Sequence, residues 1–155
     1  MKIREATIED VPQMLRLWYE LVHYHEGFQL IFQVKDGAEK LIEESLKTRI
    51  EDTSSRFFVC EAEDQIAGFI AARFRITQKA MIYHRRGYIA ETVVGQHFRG
   101  KGIGKLLFEK AQQWIVEKGA DHIELQVSLK NDGALNFWKN QGFSGFTQHM
   151  IKYLK

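Results

Sequence analysis

Apolar residues recur at helical spacing in three long segments of the chain, and each segment predicts an amphipathic helix. Thr7 or Asp10 could cap the first helix, and Pro12 favours Asp10 because proline is tolerated mainly in the first turn. The third helix ends near Gly119, a residue typical of helix C-termini. The apolar positions are Val11, Leu15, Trp18 and Val22 in the first helix, Ala38, Leu41, Ile42, Leu46 and Ile50 in the second, and Ile103, Leu107, Ala111, Trp114 and Ile115 in the third.

Runs of alternating or continuous apolar residues between these helices predict the strands of a sheet. A short strand covers residues 1–7, and two strands meet at a tight turn at Glu63 and Asp64. Another strand, "RGYIAETVV", precedes a glycine-rich loop, and residues 122–129 alternate cleanly after the third helix. A short fourth helix follows, and residues 146–154 predict a last strand. The order βααβββαβαβ predicts an α/β fold, a mixed sheet with helices packed on it.

Composition narrows the classes of function. The chain has 155 residues, of which 45% are hydrophobic and 27% charged, and this predicts one globular domain over residues 1–155. A net charge of +2 is too small to indicate nucleic acid as the main partner. The single cysteine, Cys60, excludes an internal disulfide and a multi-cysteine zinc site, and we expect no metal. The sequence shows no signal-peptide core and no membrane-length apolar run, so we expect a cytoplasmic protein without a membrane partner.

Three closely spaced glycines follow the strand "YIAETVV" and open the third helix, an arrangement in which main-chain N–H groups can bind a phosphate. The P-loop pattern fits at Gly100 and Lys101, but Gly102 stands where a Ser or Thr hydroxyl should hold magnesium. The dinucleotide pattern G-x-G-x-x-G fails because Gly104 comes one residue early. The pattern that remains is Arg99-x-x-Gly102-x-Gly104.

This pattern resembles the acyl-CoA-binding signature of the GNAT superfamily of N-acetyltransferases. The segments "YIAETVVGQHFRGKGIGKLLFEKAQQW", "IELQV" and "NDGALNFWKNQGF" follow in the family's order and spacing, so that the resemblance covers nearly the whole chain. It implies a GNAT-like fold, with a central, mostly antiparallel sheet whose strands splay apart and are flanked by helices. It also implies an enzyme that transfers an acetyl group from acetyl-CoA, its cosubstrate, to an amine.

The chemistry of the glycine loop agrees with this resemblance. Amides at the positive end of the following helix can converge on the pyrophosphate of CoA, and basic side chains add charge. Glycine matters because a side chain would hold the phosphate away from the backbone. The expected cofactor-binding residues of the loop are Arg99, Gly100, Lys101, Gly102, Ile103, Gly104 and Lys105. The alternative is a glycine-rich turn whose basic residues are merely solvated.

The resemblance implies further cofactor contacts on both sides of the loop. In the family the strand before the loop bulges, and its main chain pairs with the pantetheine arm and polarises the thioester carbonyl. These contacts fall on Thr92, Val93 and Val94, although the valines can also be core residues. Asn131 and Ala134 match a later family pattern, and we expect both to contact the cofactor; the alternative for Asn131 is a helix cap.

Trp138 departs from the family pattern, because members often carry a tyrosine there that can protonate the leaving thiolate. An indole N–H donates a hydrogen bond but is not a useful acid. Solvent, Tyr88 or Tyr83 would have to supply the proton. We expect Trp138 either to contact the pantetheine arm of the cofactor or to fill the core.

Glu91 is the candidate general base, because it lies in an otherwise apolar strand. An alkyl amine has a pKa near about 10 and is mostly protonated at neutral pH. A partly desolvated carboxylate could accept its proton, directly or through water. The alternative is an outward-facing strand glutamate, and His84 is a weaker substitute.

The resemblance places the acceptor site at the first two helices and the connection between them. There we expect Tyr24 and Glu26 to bind a primary amine of a small molecule or a protein, although the same residues fit an exposed helix end. A non-catalytic acyl-CoA sensor is the alternative function. An edge strand at the C-terminus can support a homodimer.

Overall fold

A five-stranded sheet in the order β1-β2-β3-β4-β5 forms the centre of the computed structural model, which describes all residues 1–155. The first three strand pairs are antiparallel, and β4 and β5 are parallel. The elements are β1 Lys2–Glu5, α1 Val11–Glu26, α2 Glu39–Glu51, β2 Ser55–Ala62, β3 Gln65–Ile76, β4 Arg85–Val94, α3 Ile103–Glu117, β5 His122–Leu125 and α4 Asp132–Asn140. This order confirms the predicted mixed α/β fold.

Helices cover both faces of the sheet. Leu107 of α3 and Ile70 of β3 belong to one core cluster, whereas Leu17 of α1 and Phe69 of β3 belong to the other. Successive residues of a strand point to opposite faces, so the continuous apolar run in β3 fills both cores. Nowhere among these helices is there the length and apolar content needed to cross a membrane.

The predicted last strand over 146–154 does not form. Residues 144–155 are exposed and lie in no helix or strand, and β5 already ends at Leu125. One hydrogen bond connects this segment to the loop between α1 and α2: Ile31 N–H donates to Tyr153 Oη at 3.1 Å. The alternating pattern was wrong here because a strand needs a paired neighbour and a covered face, and this segment has neither. The C-terminal edge strand at which we expected a homodimer contact is therefore not formed in this chain.

Asp10 joins β1 to the start of α1. Its carboxylate accepts two hydrogen bonds from Arg4, at 2.7 and 2.8 Å, and one from Thr7 N–H at 2.8 Å. Asp10 precedes α1 and Pro12 lies in the first turn, as predicted. The Asp10 carboxylate, however, accepts a hydrogen bond from Thr7 N–H and none from the first turn of α1. The hydrogen bonds from Arg4 hold the pKa of this buried carboxyl below its ordinary value of 3.8.

We expect Asp10→Asn to lower the free energy of unfolding by about 1–3 kcal/mol at pH 7, because it removes the charge from a buried, hydrogen-bonded carboxylate. Because the pKa of Asp10 is lower in the folded protein than the ordinary value of 3.8, the charged carboxylate contributes its full stabilisation above pH 3.8. This contribution is lost as the pH falls from 3.8 through the pKa of the folded state. Urea unfolding should therefore show the difference between wild type and variant shrinking below that pH. Glu9→Gln, at an exposed neighbouring position, is the control. An Asp10→Asn deficit that stayed constant from pH 7 to pH 3 would contradict this assignment.

Candidate active site

The sheet opens between β4 and β5. The two strands pair from Arg86 and His122 to Ile89 and Leu125, and β4 then continues to Val94 without a partner on that side. A gap with free main-chain groups along one wall therefore lies beside the glycine loop. We call this space the gap.

A β-bulge in β4 lies at the start of the gap. Ala71 of β3 pairs with Glu91 while Ala72 pairs with Ile89, so Ala90 is an extra residue. A bulge resets the alternation of side chains along its strand. Ala90 packs into the core under α1 and α2, and Glu91 contacts α2, so both side chains lie on the same face of the sheet.

The main-chain groups of Thr92 and Val94 face the gap. Gly95 N–H donates to Ala67 O of β3 at 2.8 Å, and the alternation of an antiparallel pair then turns Val93 toward β3 and its two neighbours away from it. Val93 is buried in the core under α1 and α2. Thr92 Oγ1 is buried without a hydrogen-bond partner. Of the three predicted residues, Thr92 and Val94 therefore have the orientation that a main-chain contact needs, and Val93 is a core residue.

The glycine loop presents a run of free N–H groups. Gly100 and Gly102 have φ of 77° and 80°, which favours glycine, and the space beside both is open. No amide from Gly100 through Lys105 donates to a protein acceptor, and the first N–H of α3 to form a hydrogen bond is that of Leu106, which donates to Gly102 O at 3.2 Å. These groups lie at the positive end of the 15-residue helix α3, so the loop can bind an anion.

Three basic side chains surround the loop. Arg99 Nε donates to Val94 O at 3.1 Å, so this carbonyl is engaged and only the Val94 N–H is left free toward the gap. Lys101 Nζ lies 3.7 Å from Glu63, and Lys105 Nζ lies 3.8 Å from Glu109. Exposed ion pairs of this kind contribute little, so both ammonium groups can turn to a bound anion.

Glu91 is held by Arg49 of α2. The two Nη atoms of Arg49 donate to the two carboxylate oxygens at 2.8 and 2.6 Å, and the side chains are 19% and 17% exposed. The Arg49 guanidinium also lies 4.9 Å from the centre of the Phe57 ring. Each carboxylate oxygen keeps a lone pair for an amine or a water. Sequence reasoning missed Arg49, because the helix dipole alone already favours a basic residue in the last turn.

Asn131 and Trp138 both have structural roles at α4. Asn131 Oδ1 accepts a hydrogen bond from Ala134 N–H at 3.1 Å, which is the cap considered as the alternative. Trp138 is 8% exposed, and its ring packs edge-on against Phe108 and Phe143 at 5.3 and 5.4 Å between centres. Ala134 packs against the same cluster. Trp138 thus fills the core, one of the two roles expected of it.

The connection after α1 holds the predicted acceptor residues. Tyr24 is 48% exposed and stands edge-on to Phe28 at 5.0 Å between ring centres. Glu26 lies 3.2 Å from His23 Nδ1 and accepts a hydrogen bond from Val34 N–H at 3.2 Å, and these contacts lower the pKa of its carboxyl. Glu26 therefore ties down the connection, and its carboxylate is already engaged.

The three remaining candidates lie in the turn that leads into β4 and in the first half of that strand. Tyr83 is 67% exposed and stands edge-on to His122. His84 Nδ1 lies 2.9 Å from Met81 O within an exposed turn. Tyr88 is partly buried on β4, and burial raises the pKa of its phenol. No group of three or more His, Cys, Asp or Glu side chains is arranged to hold a metal ion.

Known proteins share this fold and this sequence pattern. The sequence model of the acetyltransferase (GNAT) family matches residues 14–143. An uncharacterized N-acetyltransferase of Methanocaldococcus jannaschii is 32% identical over 91% of this chain, and streptothricin acetyltransferase of Streptomyces lavendulae is 34% identical over 61%. The chain spans 59% and 47% of the lengths of these two relatives. A crystal structure of a mutant of the BH1408 protein from Bacillus halodurans superimposes on this chain with a TM-score of 0.89. The two chains are 27% identical in sequence, and the superposition covers both completely.

We expect Trp138→Ala to lower the free energy of unfolding by about 3–5 kcal/mol, because it empties a buried aromatic site. Urea unfolding of the protein without CoA measures this loss. Trp114→Ala is a useful comparison, since Trp114 is 7% exposed in the same cluster. A Trp138→Ala loss below about 1 kcal/mol would show that Trp138 is not a core residue.

Proposed function

Because the chain belongs to the acetyltransferase (GNAT) family, we propose that it transfers an acetyl group from acetyl-CoA to a primary amine of a small molecule or a protein. The amine attacks directly, with both substrates bound at once. The observation that carries this proposal is the run of free amides from Gly100 through Lys105 beside the gap. The loop and the gap offer complementary contacts to two adjoining parts of CoA, its diphosphate and its extended pantetheine arm.

The glycine loop would hold the diphosphate. Its amides supply several N–H donors at the positive end of α3, and Gly102 leaves open space where a side chain would intrude. Arg99 and Lys101 can pair with phosphate oxygens. The donor set suits a phosphate and needs no metal ligand from the protein.

The open wall of β4 would hold the pantetheine arm. The main chains of Thr92 and Val94 face the gap, and an extended arm with amide groups can pair with them as an added strand would. Thr92 Oγ1 gains the partner that it lacks. Asn131 and Ala134 border the α3 face of the sheet through α4, where they would line the arm. When bound, acetyl-CoA supplies the thioester carbonyl that the amine attacks and a thiolate as leaving group.

Glu91 would take the proton of the attacking amine. Its carboxylate lies at the start of the gap, and Arg49 fixes its orientation through two hydrogen bonds. The free lone pairs can accept a hydrogen bond from an ammonium group or from a water between them. The N–H of Val94 faces the gap and can polarise the carbonyl under attack. Tyr24 would lie at the outer side of the acceptor site, on α1.

The direct test is thiol release from acetyl-CoA across a panel of primary amines, run together with calorimetric binding of CoA. Acetyl-CoA-dependent turnover of at least one amine is the expected result. Tight CoA binding without turnover of any amine would favour a non-catalytic acyl-CoA-binding protein instead. No binding of CoA would overturn the proposal altogether.

We expect Gly102→Glu to weaken CoA binding by at least about 100-fold, because it places a negative charge where the diphosphate would lie. Gly37→Glu is a matched control, since Gly37 has φ of 74° and open space around it but lies far along the chain from the loop. Both variants should lose about 1–2 kcal/mol of stability from backbone strain. Calorimetric titration with CoA separates them, and equal affinities for the two variants would refute the phosphate site.

We expect Glu91→Gln to lower kcat/KM by about 100-fold at pH 7, since a general base contributes at least that much. The deficit should shrink as the pH approaches the amine pKa of about 10, where the free amine accumulates. Glu43→Gln is the control, because Glu43 forms an ion pair with Lys47 at 2.8 Å on the outside of α2. A Glu91→Gln pH–rate profile parallel to that of wild type would remove Glu91 from the mechanism.

A further inference from the structure

A cluster of arginines lies on the part of β3 and β4 that α1 and α2 leave uncovered. Arg73 pairs across the strands with Tyr88, and Arg75 pairs with Arg86. Together with Gln126, which follows β5, these four side chains line an open cavity of about 280 Å³. We call this the arginine cavity.

The arginine cavity lies on the same face of the sheet as Glu91. A side chain on Gly87 would run into Ile115 of α3, and Ile89 packs in the core under α3. Positions 87 and 89 of β4 therefore face α3, and positions 86 and 88 face the opposite side of the sheet. Tyr88 and Arg86 therefore point to the α1 and α2 face. Glu91 points to that face too, because the bulge at Ala90 resets the alternation.

The distance from the cavity to Glu91 is short. Ala71 pairs with Glu91, and Arg73 and Arg75 lie two and four residues further along β3. At 3.3 Å per residue these positions are about 7 and 13 Å away along the strand. Arginine side chains can cover much of that distance, so one small molecule can contact the cavity and Glu91 together.

The cavity carries more positive charge than its neighbours neutralise. Arg86 pairs with Glu124 at 3.3 Å, and Glu124 is shared with His122 at 3.3 Å. Arg73 and Arg75 form no ion pair. Both contribute to lowering the pKa of Asp52, but that carboxylate is fixed chiefly by hydrogen bonds from Ser54.

Tyr88 and Gln126 complete the set of groups that an anion would need. Burial raises the pKa of the Tyr88 phenol, so the hydroxyl is neutral at pH 7 and can donate a hydrogen bond. The Arg86 guanidinium lies 5.7 Å from the centre of the Tyr88 ring, which orients it. Gln126 adds an amide donor at the far wall. Guanidinium groups with neutral donors beside them are the usual receptors of carboxylates and phosphates.

We propose that the arginine cavity binds an acidic group, a carboxylate or a phosphate, carried by the same small molecule whose primary amine is acetylated beside Glu91. This inference rests on the proposed function and names its class of acceptor. The sequence-based expectation placed the amine at Tyr24 and Glu26 instead, but the Glu26 carboxylate is already engaged by His23 and Val34. Phosphates of CoA held by the glycine loop are not the occupant, since the loop follows Val94 at the end of β4 whereas Arg86 and Tyr88 lie near the start of that strand.

The experiment compares amines that differ only in the acidic group. Thiol release from acetyl-CoA is followed with O-phosphoethanolamine against ethanolamine, and with β-alanine against β-alaninamide. The first pair tests a phosphate and the second a carboxylate, and spermidine serves as a purely cationic amine. We expect kcat/KM to be at least about tenfold higher for the acidic member of one pair than for its neutral partner.

The variants Arg73→Gln and Arg75→Gln locate the preference. Each should reduce the ratio of acidic to neutral acceptor by about tenfold, with no change in KM for acetyl-CoA. Arg16→Gln is the matched control, because Arg16 is an exposed arginine on the outside of α1. Thermal unfolding of all three variants checks that the fold is retained.

The outcomes separate this inference from the proposed function. If amines turn over but acidic and neutral partners react equally, or if the arginine variants leave the ratio unchanged, the inference is wrong and the proposed function stands. If no amine turns over, calorimetric titration of the CoA-loaded protein with O-phosphoethanolamine and β-alanine decides. Binding that both arginine variants weaken supports the acidic site, and absence of binding overturns it.

Discussion

The separation of β4 from β5 is the constraint on which the rest of the site depends. Both strands are paired as far as Ile89 and Leu125, and an extra residue at Ala90 then changes which way the chain faces. If Ala90 took a regular place in the ladder instead of forming a bulge, the strict alternation of a strand would turn Glu91 into the core under α3, on the side of Ile89. With the bulge, Glu91 meets Arg49 on α2, and the amides beyond it face an open edge of the sheet.

The two faces of the sheet carry different groups on either side of this separation. The face under α3 and α4 carries the glycine loop and Thr92 Oγ1, which suit a diphosphate and an extended arm. The face under α1 and α2 carries Glu91, Arg49 and the arginine cavity. The gap is where the sheet is open to both faces. A thioester and an amine that approach from opposite sides would therefore meet beside Glu91.

Local sequence signals predicted the parts of the fold that depend on local physics. Periodicity located the three long helices, and the turn at Glu63 and Asp64 has positive φ values of 51° and 57° as a tight hairpin turn requires. The glycine loop could be found because its left-handed positions favour glycine. Contacts distant in sequence were not predictable in this way. Arg49 and Glu91 are 42 residues apart, and the bulge in "YIAETVV" was expected only from the family resemblance, not from the residues of the strand.

The sequence shows that Arg73 and Arg75 are two residues apart and so lie on the same face of a strand. Only the register of β3 against β4 shows which residues lie next to them. That register places Arg73 and Arg75 about 7 and 13 Å from Glu91 along the sheet, and this has two consequences for the proposed reaction. Glu91 is paired with Arg49, so its carboxylate would attract an ammonium group less strongly than an unpaired carboxylate would. An acidic group on the acceptor would add an attraction to the arginine cavity. The positive charge of the arginines would also disfavour the protonated form of an amine bound nearby, and so it would favour the neutral nucleophile that the proposed acetyl transfer requires.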